Sequence, residues 1–113
     1  MTVLWHNPRC SKSRATLALL QERGLAPRLR HYLDEPPSVA ELRMVQQILG
    51  LPVTGMLRRC EPAFRDLGLS ETDPEEALLA AMASHPILIE RPIVLHLGRA
   101  AIGRPPEAVL ALL

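Results

Sequence analysis

The strongest nucleophiles in this 113-residue sequence are two cysteines, Cys10 and Cys60. Cys10 follows the chain breaker Asn7-Pro8 and precedes a stretch of helical periodicity, so it falls between a strand end and a helix start. A thiol at that point faces unpaired backbone N–H groups and the positive end of the helix dipole. Both favour the thiolate, which is the reactive form. Arg9, Lys12 and Arg14 add positive charge on either side in sequence. A free cysteine is more often a small buried hydrophobe, but a polar, basic turn is the wrong setting for that role. The spacing is Cys10-Ser11-Lys12-Ser13. A redox pair would carry its second cysteine where Ser13 stands. A hydroxyl forms no disulfide, yet it can donate a hydrogen bond to the neighbouring thiolate. The pattern therefore reads as one-cysteine chemistry, with an external thiol resolving the intermediate. Cys60 is read as a passive residue, with a resolving thiol as the alternative, because sequence separation says nothing about distance in space.

The remaining composition narrows the partners. Thirteen basic residues against twelve acidic ones leave a formal net charge of +1, which supplies no bulk attraction for nucleic acid or an anionic membrane. All the basic residues except Lys12 are arginines. Their planar donor forks suit oxyanions, although a compositional bias of the source organism gives the same excess. His6, His31, His85 and His96 are scattered, with no CxxC partner and no HxxxH spacing, so no metal site is expected. Two cysteines are too few for a disulfide framework. A chain that is 48% hydrophobic and 22% charged is not disordered, and its length fits one domain. The longest apolar run, residues 77–83, is far short of the ~20 residues that span a bilayer. The N-terminal residues have neither a basic region nor a long apolar stretch, so no signal peptide is expected and the expected location is cytoplasmic.

These side chains must be positioned by the elements around them. Residues 2–6 are short, β-branched and apolar and read as a buried strand. Residues 11–23 read as a helix with Leu17, Ala18 and Leu20 on one face, stopped by Gly24. Residues 27–33 alternate about Leu29 and suggest a second strand. Such a βαβ unit has parallel strands and a right-handed crossover. In the helical middle, Ser38-Val39-Ala40-Glu41 is a capping box. Leu42, Val45, Ile48 and Leu49 form its apolar stripe, and Gly50 ends it. Shorter pieces cover residues 53–59 and 62–67. Asp73-Pro74 reads as an N-cap with proline at the first helical position, opening a helix to residue 84. A strand over residues 93–97, a turn at Gly98-Arg99, a partner strand over 100–103 and a last helix from Pro105-Pro106-Glu107 complete the chain. The order β-α-β, helices, β-β-α is the thioredoxin-like α/β order. A single domain over residues 1–113 is expected, with a helical insertion over roughly residues 36–86.

One stretch is more specific than any of these elements. His6-Asn7-Pro8-Arg9-Cys10-Ser11-Lys12-Ser13-Arg14 closely resembles the active-site loop of the glutaredoxin-coupled arsenate reductases, the ArsC family. The likeness continues through Leu57-Arg58-Arg59, Glu61-Pro62, Leu67-Gly68-Leu69, His85-Pro86-Ile87-Leu88-Ile89-Glu90-Arg91-Pro92-Ile93-Val94 and Gly103-Arg104-Pro105, in order over nearly the whole chain. The resemblance implies a thioredoxin-like fold with a helical insertion. It implies that Cys10 attacks arsenate and that Arg58, Arg91 and Arg104 bind the oxyanion. Arg59 is the alternative to Arg58 by a small shift of register. His6 would help keep the thiol ionised, with Asn7 and Ser13 as further supporting residues, and Pro92 would be a cis proline beside the site. Converging guanidinium groups suit this task, because they offset the repulsion between a thiolate and an approaching oxyanion and hold the anion for attack.

The implied cycle starts with Cys10 thiolate attacking arsenate and releasing water or hydroxide. Glutathione, a co-substrate, attacks the arseno-cysteine adduct, glutaredoxin reduces the mixed species, and arsenite leaves. No bound metal, flavin or nicotinamide is implied. Two other readings stay open: a thiol-dependent reductase of another substrate, such as a glutathione mixed disulfide, and a non-enzymatic regulator resembling Spx. Spx-type sensing uses a CxxC switch, and Ser13 removes its second sulfur.

Overall fold

The β-branched and apolar residues at the start of the chain form β1 (Thr2–Trp5), which pairs in parallel with β2 (Arg28–Arg30) through the crossover helix α1 (Ser11–Glu22). The computed structural model describes residues 1–113. The chain divides into two compact units, one built from Met1–Glu35 with Arg91–Leu113 and the other from Pro36–Glu90.

In the first unit, β3 (Ile93–His96) pairs antiparallel with β1, placing Val94 opposite Leu4, and β4 (Arg99–Ile102) pairs antiparallel with β3. The sheet order is β2-β1-β3-β4. The β3–β4 turn lies one residue earlier than the sequence suggested. Leu97 (φ 50°) and Gly98 (φ 79°) both have positive φ, the requirement of a two-residue type I′ turn. Leu4, Leu20, Val94, Val109 and Leu112 form the core of this unit, with Leu17, Leu25 and Ala101 packed against them.

Three expectations change here. Ala18 is exposed, and the buried face of α1 carries Ser13 and Thr16 beside Leu20. Burial of those hydroxyls is tolerated because both are hydrogen-bonded, Thr16 Oγ1 donating to the Lys12 carbonyl at 2.8 Å. The second strand has only three residues, because the Asp34 and Glu35 amides both fold back onto the His31 carbonyl. The last element is a 3-10 helix, Pro106–Leu112, which buries Val109 and Leu112. Residues three apart eclipse in that geometry, so both reach the core.

The second unit is helical. α2 (Val39–Leu49) has the expected capping box at Ser38 and Glu41 and ends at Gly50, left-handed at φ 69°. Leu42 and Val45 are buried, but Ile48 remains 38% exposed. A 3-10 turn (Val53–Met56) and α3 (Pro62–Asp66) precede α4 (Glu75–Ser84), and Pro86–Leu88 forms a further 3-10 turn. Pro74, not Asp73, is the N-cap of α4; the Asp73 carboxylate instead accepts from the Ser70 amide at 2.9 Å. Arg43 joins α2 to α4 through Glu75 and Glu76. No helix of the chain is long and apolar enough to cross a membrane.

The Arg91–Pro92 bond is cis, as the resemblance implied, and so is Arg104–Pro105, which nothing in the sequence indicated. Gly103 lets β4 leave the sheet past this corner. A Cβ there would come within 2.5 Å of Thr16 Oγ1 and 2.8 Å of Pro92 Cγ. Gly103→Ala should therefore lower stability by about 1–3 kcal/mol, read as a drop in the urea midpoint. Adding Thr16→Ala should recover some of that loss in a double-mutant cycle, since it removes the nearer clash.

Candidate active site

The site begins where β1 ends. The His6 amide still donates to the Arg30 carbonyl, at 2.8 Å, and Asn7 then reverses the chain. The Arg9 amide donates to Asn7 Oδ1 at 3.0 Å and the Cys10 amide to the Asn7 carbonyl at 2.9 Å. This side-chain-closed turn delivers Cys10 to the N-cap of α1, in extended conformation at φ −93° and ψ 122°. Its carbonyl accepts the first helical bond, from the Arg14 amide at 3.0 Å.

The sulfur is partly buried and reduced. Burial pushes the thiol pKa up, but the Ser13 and Lys12 amides and then the Arg91 guanidinium more than offset that, leaving it below the ordinary value of 9.0. The Cys10 side chain closes no formal cap hydrogen bond; the N–H groups act on it as oriented dipoles at the open end of the helix. Of the nearby charges expected to assist, Arg14 is turned away. It donates to the Pro8 carbonyl at 2.8 Å and acts on His6. The guanidinium that acts on the sulfur comes from Arg91, at the other end of the chain.

Ser13 behaves differently from the expectation. Its backbone amide, not its hydroxyl, serves the sulfur. The hydroxyl points into the buried face of α1, where it lies 2.6 Å from His6 Nδ1 and accepts from the Asn7 amide at 3.1 Å. His6 is buried, with its pKa held below 6.5 by that burial, by His31 and by Arg14. A neutral ring leaves Nδ1 free to accept the Ser13 proton. His6 thus fixes the first turn of α1 to the loop rather than touching the sulfur. The His31 ring, which nothing in the sequence singled out, stands edge-on to His6 at 5.9 Å.

Arg104 reaches the same corner, with Nη1 donating to the Arg91 carbonyl at 3.4 Å. Pro92 is buried, and its carbonyl accepts from the Gly103 amide at 2.9 Å. Cys10, Arg91, Pro92 and Arg104 therefore share one unit. Arg58 belongs to the other, where it pairs with Glu61 at 3.1 Å and donates to the Ile87 carbonyl at 3.2 Å. Its neighbour Arg59 pairs with Glu71 at 3.1 Å and is half exposed. Cys60 is an exposed free thiol. No group of three or more His, Cys, Asp or Glu side chains is placed to hold a metal ion.

Residues 5–112, which carry the Cys10 loop, Arg91, the cis Pro92 and Arg104, match the ArsC family. The chain belongs to the ArsC family. Among its relatives, an arsenate reductase of Neisseria meningitidis serogroup A is 50% identical over 112 residues, covering 97% of this chain and 96% of that protein. An arsenate reductase of Haemophilus influenzae is 44% identical over 113 residues, covering 98% and 97%. The solved structure of an arsenate reductase from Vibrio cholerae superposes with a TM-score of 0.96 at 52% identity, covering 99% of this chain and 97% of that one. The ArsC fold is thioredoxin-like, in agreement with the strand order described above.

Two measurements check the electrostatics. The pH midpoint of Cys10 alkylation by iodoacetamide should lie below that of a free thiol, and Arg91→Ala should move it upward. The His6 ring should titrate below 6.5 by NMR, and His31→Asn should bring the midpoint closer to 6.5. Because the folded-state value is the lower one, the stability linked to His6 is complete above 6.5 and is lost as pH falls through the folded value.

Proposed function

We propose that this protein reduces arsenate to arsenite in the cytoplasm, using glutathione and glutaredoxin, through a covalent arseno-cysteine on Cys10. The observation that carries this reading is the Arg91 guanidinium held against a partly exposed thiol of lowered pKa. A cation in that position stabilises the resting thiolate. It is also placed to take an oxyanion oxygen as the anion approaches. The names of the similar proteins from Neisseria meningitidis and Haemophilus influenzae support arsenate as the substrate.

Cys10 thiolate attacks arsenic, forming the S–As bond and expelling an arsenate oxygen as hydroxide or water. Glutathione thiolate then displaces a second oxygen, again as water. Two electrons reach arsenic when the glutaredoxin thiolate takes the glutathione sulfur into a disulfide, and hydrolysis of the remaining S–As bond releases arsenite and Cys10. Ser13 at the position of a second cysteine supports the need for an outside thiol. Arg91 and Arg104 orient the oxyanion, and Arg58 is assigned the same task on the strength of its motif.

The test is arsenate-dependent NADPH consumption in the presence of glutathione, glutaredoxin and glutathione reductase. Cys10→Ser should abolish it. Arg91→Ala and Arg104→Ala should each lower kcat/KM for arsenate by about 10²–10³-fold, the cost of removing a donor from a developing oxyanion. Arg58→Ala should fall in the same direction and Arg28→Ala should change little. Turnover of glutathione mixed disulfides with none of arsenate would overturn the substrate assignment and favour a thiol reductase.

A further inference from the structure

A pocket of about 340 Å³ opens beside the Cys10 loop, lined by His6, Pro8 and Arg9 on one side and His31, Leu33 and Asp34 on the other. It lies wholly within the first unit. Its volume is at the small end of ligand sites, which run from roughly 300 to 1,000 Å³. Its charges are of both signs. Arg9 and Asp34 are exposed at the pocket, and neither belongs to the ion pairs of the chain. The Arg9 amide is tied to Asn7 and the Asp34 amide to His31, so both backbones are fixed while the charged ends remain available. Pro8 and Leu33 supply apolar lining.

That lining discriminates among ligands. A simple anion is repelled by Asp34 and a simple cation by Arg9. A zwitterion satisfies both, with its carboxylate on the guanidinium fork and its ammonium on the carboxylate. We propose that this pocket binds the α-amino-acid end of glutathione, Arg9 pairing with the γ-glutamyl carboxylate and Asp34 with its ammonium group, so that the glutathione thiol is delivered to Cys10. The proposal rests on the use of glutathione in the proposed function and assigns where that thiol docks. Arg9 directly precedes Cys10, adjacent Cα atoms are about 3.8 Å apart, and an extended tripeptide spans about 10 Å. The glutamyl methylenes would lie on Pro8 and Leu33, and the imidazoles of His6 and His31 close the inner wall.

The test uses S-methylglutathione, which carries the same ends but no reactive thiol, and needs no arsenate. Added to the ¹⁵N-labelled protein, it should shift the amide resonances of residues 6–9 and 31–34. Arg9→Glu and Asp34→Arg should each weaken its binding about tenfold or more, as expected for losing one charge-assisted contact. The double reversal should regain some of the loss. The des-amino analogue, with a glutaryl group in place of the γ-glutamyl group, should bind the wild type more weakly and be indifferent to Asp34→Asn. Binding that shifts no resonance in these two segments, or that ignores both charge reversals, overturns the proposal. Binding here without arsenate turnover leaves the pocket standing and removes the arsenate assignment; glutathione-dependent arsenate turnover without these shifts does the reverse.

Discussion

A thiolate at Cys10 has to overcome partial burial, which by itself favours the neutral thiol. Two contributions reverse that balance. The Ser13 and Lys12 amides belong to the first turn of α1 and have no carbonyl partner inside the helix, so their dipoles are available to the sulfur. The Arg91 guanidinium adds a full charge. The first contribution depends on where the helix begins, and so on the Asn7 turn and the Cys10 cap. The second depends on the corner at Pro92 that brings Arg91 against the loop. Strand pairing, the turn and the corner all serve these two contacts.

The same economy explains the polar inner face of α1. An apolar residue at position 13 would pack as well, but it could not tie the helix to the loop. The Ser13 hydroxyl, lodged between His6 Nδ1 and the Asn7 amide, fixes the rotation of the first turn and hence the direction in which its N–H groups point. Thr16 has a similar role in the next turn, satisfied by Lys12 and set against Gly103. Gly103 in turn admits the chain to Pro92, whose carbonyl takes the Gly103 amide. A line of small and hydroxylated residues thus connects the helix that holds the sulfur to the segment that holds the arginine.

Much of this was legible in the sequence. The Asn7-Pro8 break, the Ser38 capping box and the glycine stops at Gly24 and Gly50 are local signals, and local signals set element boundaries. The position of Cys10 at the head of α1 followed from signals of the same kind. What escaped depended on tertiary context. Ala18 and Ile48 have the right periodicity but stay exposed, while Ser13 and Thr16 are buried because hydrogen-bond partners from the loop and the helix await them. Asp73 has the chemistry of a cap, but it folds back on Ser70 and leaves the helix to start from Pro74. Arg9, Lys12 and Arg14 flank the sulfur in sequence, yet the charge that acts on it comes from Arg91, which the family resemblance singles out and no local pattern does.

The unit that carries the sulfur is assembled from both ends of the chain, Met1–Glu35 and Arg91–Leu113. Cys10 lies in the first segment, and the arginine that lowers its pKa lies in the second. During synthesis on the ribosome the cysteine emerges long before Arg91 exists, and the share of its activation that the guanidinium supplies is added only once the second segment has joined the first. The amides of α1 act without it, so activation of the thiol is completed, not begun, when the second segment folds on. A chain whose ends are not yet joined lacks that last contribution, so the pH at which this one sulfur ionises reports whether the two ends of the polypeptide have met.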